Sequence, residues 1–163
     1  MGVMRMWLIL SDTHDNMEVL KKVEELLSEK NIEKVFHCGD FVAPFTLGRL
    51  IKEGVDFYGV FGNNDGEVLL LDKRSGGRIK KPPISLEVDG LRIAMMHEPI
   101  LLDAIVRSQE FDLILYGHTH RVDVRKEGKT LVVNPGEACG YLSGKSTVYL
   151  FDPRTREGEL LEL

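Results

Sequence analysis

Met6-Trp7-Leu8-Ile9-Leu10-Ser11-Asp12-Thr13-His14 is the stretch from which the rest of the chain can be read. Met6 to Leu10 is an apolar run without alternation, as expected of a strand covered on both faces. It stops abruptly, and Asp12 and His14 follow at once. Downstream, Met17, Leu20, Val23 and Leu27 recur at helical spacing between Asn16 and Lys30, with Asn16 as N-cap and Asn31 as stop. Lys34-Val35-Phe36-His37-Cys38 predicts a second strand. A helix follows with Pro44 in its first turn and Gly54 just past its end. Phe57 to Phe61 predicts a third strand. Strand and helix in this alternation imply right-handed crossovers and a largely parallel sheet.

The second half is richer in strands. Ile84 to Val88 and Leu91 to Met96 flank Asp89-Gly90, a strong two-residue hairpin signal. A short helix is expected from Pro99 to about Gln109, then a strand from Asp112 to Tyr116. Val122 to Arg125 and Thr130 to Val133 flank a longer hairpin loop, Lys126 to Lys129. Thr147 to Phe151 and Leu160 to Leu163 complete the set. So many strands in so short a chain predict an α/β fold with two packed sheets and helices outside. With 163 residues, 43% apolar and 29% charged, a single domain over 1–163 is expected. Such a chain buries roughly 70% of its unfolded surface.

Charge and cysteine usage exclude several classes. A net charge of −5 does not suit a protein that coats nucleic acid, which needs a broad basic face. Cys38 and Cys139 form neither a CxxC pair nor a repeated spacing, so a disulfide framework or thiolate zinc site is not indicated. The run from Val3 to Leu10 is too short to span a membrane and lacks a signal-peptide cleavage pattern. Gly2 is not a myristoylation signal, because Met6 stands where that motif wants Ser or Thr. A cytoplasmic protein without a membrane partner is expected.

The ends of the apolar runs carry the chemistry. Leu10 leads to Asp12 and His14, Phe36 to Asp40, Phe61 to Asn63, Met96 to His97, and Tyr116 to His118 and His120. In open α/β sheets, ligands bind outside the carboxyl ends of strands, so these residues are expected to converge. Asp12 and His14, like His118 and His120, are spaced i and i+2, which in extended chain puts both side chains on one side. Four of the five histidines fall at strand ends. His37, which alternates away from Asp40, is read as structural. Carboxylate, imidazole and amide oxygen without thiolate suit Mn, Fe, Zn, Co or Ni. The seven candidate ligands exceed one tetrahedral site. Two ions about 3.5–4 Å apart, bridged by one carboxylate and a hydroxide, would use them all and suit hydrolysis of a phosphate ester.

Asp12-x-His14, Gly39-Asp40, Gly62-Asn63, His97 and Gly117-His118-Thr119-His120 resemble, in order, the motifs of the calcineurin-like metallophosphoesterase superfamily. The short uncapped form is similar to its small bacterial and archaeal phosphodiesterase branch, and Asn134-Pro135-Gly136 also resembles a family motif near the site. The resemblance spans roughly Leu8 to Leu150. It implies a four-layer αββα sandwich with two central mixed sheets. It implies that Asp12, His14 and His120 take one ion, that Asn63, His97 and His118 take the other, and that Asp40 bridges. The implied activity is phosphodiester hydrolysis by attack of a hydroxide held between two divalent ions, with Mn favoured. Small members of the family often form homo-oligomers.

Departures from the pattern name further residues. Many relatives place a His directly after the motif Asn to protonate the leaving group; here Asn64 stands there. Asn64 and Asp65 are the candidate catalytic residues, Asn64 to hydrogen-bond a phosphate oxygen. Asp15, Asp65 and backbone carbonyls are candidate acceptors behind the ligating imidazoles. Glu98 and Pro99 follow His97 where many relatives have Gly. Gly140 to Ser146 nearly matches a phosphate-binding loop but is one residue short and precedes a strand, so it is read as a turn. Lys73 to Lys81 holds five basic residues and no acid, and is read as a solvated loop. Two rival functions share the fold: a protein-binding scaffold such as retromer's vacuolar-sorting subunit, and a DNA-processing nuclease. The complete ligand set weighs against the first; the acidic balance and the lack of room for a capping segment weigh against the second. A small phosphodiester is the expected partner.

Overall fold

The apolar N-terminal run forms β1 (Met6–Leu10), and its place inside a six-stranded sheet explains why it does not alternate. The computed structural model describes residues 4–163; Gly2 and Val3 lie outside them. β1 pairs in parallel with β2 (Ile32–His37), which pairs in parallel with β3 (Asp56–Val60). On its other side β1 meets β10 (Thr147–Asp152) antiparallel, and β11 (Glu157–Glu162) closes that edge. The pleat sends Leu8 and Leu10 to one face and Trp7 and Ile9 to the other, and all four are fully buried.

Between β1 and β2 runs α1 (Met17–Glu29), whose Val19, Leu20, Val23, Leu26 and Leu27 form one buried stripe. The Asn16 side chain caps it, accepting from the Val19 N–H at 3.3 Å. Between β2 and β3 the expected helix is shorter than the sequence suggested. A 3-10 turn over Pro44–Thr46 leads into α2 (Leu47–Leu50), and Ile51 is already extended, well before Gly54. Two elements not expected from the sequence overlap the Lys73 to Lys81 run read as a solvated loop, the first only at its last two residues. These are α3 (Val68–Arg74) and β4 (Ile79–Lys80), the latter pairing in parallel with β3. Their apolar signal is short and broken by charge, and tertiary pairing rather than periodicity fixes them.

The second sheet has the order β5-β6-β7-β9-β8. Its β5 (Ile84–Val88) and β6 (Leu91–Met95) form the expected hairpin, with Asp89 and Gly90 both at positive φ as a type I′ turn requires. β7 (Leu113–Leu115) and β9 (Thr130–Pro135) lie parallel to β6, and β8 (Val122–Glu127) closes the far edge antiparallel. The helix expected from Pro99 begins later, as α4 (Leu102–Ser108), because Leu101 turns left-handed at φ 54°.

Three apolar clusters show how these elements are layered. The first packs α1 and α2 on the outer face of the first sheet, around Leu20, Val23, Leu8 and Val35. The second lies between the sheets, with Trp7, Ile9 and Phe36 facing Ile93, Met95 and Val133. The third seats Val106 of α4 on Ala94, Ile114 and Val132. Helix, sheet, sheet and helix are therefore stacked as the αββα sandwich requires, with two mixed sheets at the centre.

Candidate metal centre

Parallel strands from both sheets end at one rim, and the loops that follow them are stitched together there. Asp12 N–H donates to Gly39 O at 2.9 Å and His14 N–H to Asp40 O at 3.1 Å, joining the turns after β1 and β2. Gly117 N–H donates to His97 O at 3.0 Å, joining the turns after β6 and β7. Five of the seven candidate ligands, Asp12, His14, Asp40, His118 and His120, sit at positive φ. This corrects the expectation of extended i, i+2 pairs: the chain turns left-handed at all four residues of those pairs, and their side chains still converge on the site. Such conformations cost about 1–3 kcal/mol each and persist where the surroundings over-determine them. Close approach is enforced by glycine. A Cβ on Gly62 would overlap the Asp40 carboxylate, and one on Gly117 would overlap Ser11.

All seven candidate ligands meet, in two groups. In the first, His14 Nε2 lies 3.6 Å from Asp12 Oδ1 and 3.2 Å from Asp40 Oδ2, while His120 Nε2 lies 3.4 Å from Asp12 Oδ1. In the second, Asn63 Oδ1 lies 2.9 Å from His97 Nε2 and 3.0 Å from His118 Nδ1. His97 Nε2 is also 3.4 Å from Asp40 Oδ2. Asp40 Oδ2 thus faces both groups.

The donor chemistry fits divalent cations. Asp12 Oδ2 accepts from Ser11 Oγ at 2.6 Å and from His118 N–H at 3.1 Å, whereas Asp12 Oδ1 is buried without a hydrogen-bond partner. His14 Nε2 is likewise buried and unpartnered. His97 Nδ1 lies 2.7 Å from Cys38 O, a carbonyl that can only accept, so Nδ1 carries a proton and Nε2, facing Asn63 and Asp40, is the nitrogen placed to hold a metal. His120 Nδ1 lies 2.6 Å from Glu137 Oε2, which fixes its tautomer in the same sense. Carboxylate oxygens and imidazole nitrogens converging in this way are costly unless positive charge, a cation or an imidazolium proton, lies between them.

Electrostatics agree. Contact with Asp12 and then Asp40 raises His14 to about 10, so the carboxylates draw positive charge onto that imidazole. Burial works against ionisation of Asp40, yet His14, His97 and Asn64 together hold its carboxyl far below the usual range.

The residues around the ligands divide by task. Asn64 donates to Asp40 twice, from its backbone N–H to Oδ1 and from Nδ2 to Oδ2, both at 2.9 Å. Asp65 accepts from the N–H groups of Asp40, Gly62 and Val42. Asp15 accepts from Ala43 N–H at 2.8 Å. Neither Asp65 nor Asp15 is paired with an imidazole, contrary to the sequence reading; the carbonyl of Cys38 is, as expected. Asn134 donates to Gly117 O and Thr119 Oγ1, both at 3.1 Å, and so steadies the turn that carries His118 and His120. His37 is fully buried beneath the site, bonded to Thr13 Oγ1 at 3.0 Å and stacked on Phe41. Burial lowers it to about 3, so it is a neutral structural residue.

Sequence reasoning missed Glu137. Its Oε1 accepts from Leu142 N–H, Ser143 N–H and Ser143 Oγ, so the turn once compared with a phosphate loop grips a carboxylate of its own chain. Burial would raise Glu137, but Ser143 and His120 bring it down to about 2. The available signal was its position: a lone acid just past Asn134-Pro135-Gly136, at one more strand end. Of the basic run, Lys81 borders a cavity beside Asn63 and His97.

The comparisons with known proteins point one way. Residues 4–156 match the calcineurin-like phosphoesterase superfamily domain. A phosphodiesterase of Methanocaldococcus jannaschii is 36% identical over 155 residues, covering 91% of this chain and 93% of that protein. The structure of an archaeal phosphodiesterase superposes with a TM-score of 0.88 at 34% identity, covering 97% of this chain and 99% of the other. Vacuolar protein sorting 29 from Cryptosporidium parvum superposes with a TM-score of 0.71 at 20% identity, covering 99% of this chain and 98% of the other, a likeness of fold alone.

Proposed function

The chain belongs to the calcineurin-like phosphoesterase superfamily, and from that premise we propose that it is a metal-dependent phosphodiesterase acting on small phosphate diesters. One observation carries the reading: two groups of three ligands meet through a single oxygen, Asp40 Oδ2, which lies 3.2 Å from His14 Nε2 and 3.4 Å from His97 Nε2. Asp12, His14 and His120 would hold one divalent ion, Asn63, His97 and His118 the other, and Asp40 both, with Mn favoured. When bound, such a pair supplies charge neutralisation at the phosphoryl group and activation of water for in-line attack.

The chain's own residues hold this arrangement. Asp40 is the hinge between the groups, and Asn64 locks the plane of its carboxylate by donating to both oxygens. Asp65 pins the backbone of Asp40 and Gly62, so Asn64 and Asp65 act through Asp40 as positioning residues. The Cys38 carbonyl and Glu137 accept from Nδ1 of His97 and His120, leaving the inward Nε2 of each as the nitrogen that would hold a metal. Attack is assigned to water, with no protein nucleophile.

A scaffold role finds no support in this geometry, because a docking surface does not need buried, unpartnered acceptors and left-handed turns. Cys38 and Cys139 are free, buried thiols, in keeping with a reducing cytoplasmic setting. Among the described residues, no helix is long and apolar enough to cross a membrane. The test is hydrolysis of bis-p-nitrophenyl phosphate by Mn-loaded protein. Turnover lost with a chelator and in His97→Ala supports the reading; an ester left intact by fully loaded protein, or cleaved equally well by His97→Ala, overturns it.

A further inference from the structure

The two flanks of the site differ in what lies beside them. On the Asn63 and His97 side an open cavity of about 260 Å³ adjoins both residues. Its wall is apolar: Phe61 from the end of β3, Pro82 and Pro83 from the segment joining the two sheets, Met96 before His97, and Ile100. Ile100 stays 59% exposed, an apolar side chain held at the cavity's edge. The charged members are Lys81 and Glu98, both exposed. An apolar recess sharing a wall with a polar reaction centre has the composition of a ligand site: apolar surface with a few convergent polar groups.

Its size limits what it takes. Sites that enclose a whole drug-sized ligand run from about 300 to 1,000 Å³. This cavity falls just below that range, so it suits one arm of a substrate rather than all of it. Phe61 offers the aromatic contact that favours a flat ring. Lys81 adds a positive charge to the lining of the same cavity. On the opposite flank a cavity of about 450 Å³ borders His120, but Arg121, Glu137, Ser143, Lys145 and Glu162 make its lining more polar and charged.

Resting on the phosphodiesterase reading, we propose that this cavity is a subsite for an aromatic or heteroaromatic ester group, making ring-bearing diesters the preferred substrate class. The ring enters between Phe61, Met96 and Ile100 while its phosphorus lies at Asn63 and His97. Selectivity is then set by residues that hold no metal.

Stable phosphonates test this without any leaving-group chemistry. Binding of phenylphosphonate and methylphosphonate to Mn-loaded protein is measured by calorimetry and as competitive inhibition. The expected result is phenylphosphonate tighter by about tenfold, roughly 1.4 kcal/mol. Ile100→Trp, a bulkier side chain at the cavity's exposed edge, is expected to erase that gap, and an unchanged circular-dichroism spectrum and melting temperature show that the variant is folded. Equal affinities in the unaltered protein overturn the subsite, as does a gap that survives Ile100→Trp; hydrolysis of bis-p-nitrophenyl phosphate in either case leaves the phosphodiesterase reading intact. Binding of neither phosphonate, together with no ester hydrolysis, overturns both.

Discussion

The Asp12, His14 and His120 half of the site is charged, whereas the Asn63, His97 and His118 half is nearly neutral. The first half owns a fully buried carboxylate, shares that of Asp40, and has His120 backed by a second buried acid, Glu137. The second half offers an amide and two imidazoles, shares Asp40, and has His97 backed by a carbonyl. Asn63 is exposed and borders the apolar cavity. Cation affinity follows the count of buried anionic oxygens. With a pair of ions bound, the first half would hold its ion more tightly, and the proposed subsite would make the second the face at which substrate arrives.

The largest effect is expected where the halves meet. Asp40→Asn removes the one carboxylate common to both and should cut bis-p-nitrophenyl phosphate turnover by about 10³-fold, roughly 4 kcal/mol. Calorimetry should then show weak binding at both sites; one ion still held tightly would break the symmetry assigned to Asp40. Next comes Glu137→Gln. Loss of the carboxylate behind His120 should weaken the tight ion about 10–100-fold and leave the weaker one unchanged. An equal loss at both, or none, would contradict the unequal halves. A gain is expected from Asn64→His, which restores a proton donor beside Asn63. Turnover of alkyl esters should rise by about tenfold and that of nitrophenyl esters hardly at all; equal changes would count against a missing donor.

The smallest effect on activity is expected beneath both halves, at His37. Its folded value of about 3 lies below the ordinary 6.5. Above pH 6.5 neither state is protonated there and the group adds no slope. As pH falls from 6.5 toward 3 the unfolded chain takes up a proton that the native protein refuses, so stability declines by up to about 1.4 kcal/mol per pH unit. Urea unfolding of metal-free His37→Phe should show that much less slope in this window, with turnover at neutral pH nearly unchanged.

The same contrast explains what could be read in advance. β1, β2 and the β5–β6 hairpin announced themselves through unbroken apolar runs and the Asp89-Gly90 turn, and the seven ligands stood out because each follows such a run. The layering followed from strand count. What stayed hidden lacks a periodic signal. The two-residue β4 is defined by pairing with β3, and α3 keeps Leu69 86% exposed. The left-handed turns at Asp12, His14 and His120 carry no glycine to mark them. Glu137 is defined by its partner, His120, 17 residues back in sequence, and by a turn that folds over it. Periodicity finds elements, whereas contacts between the ends of elements are found only in three dimensions.

All of this depends on a shared carboxylate joining unequal halves, and anomalous diffraction from crystals soaked in manganese tests it most directly. Two peaks about 3.5–4 Å apart are expected, both touching Asp40, with the one beside Asp12 at higher occupancy. A single peak, or peaks away from Asp40, would contradict the account.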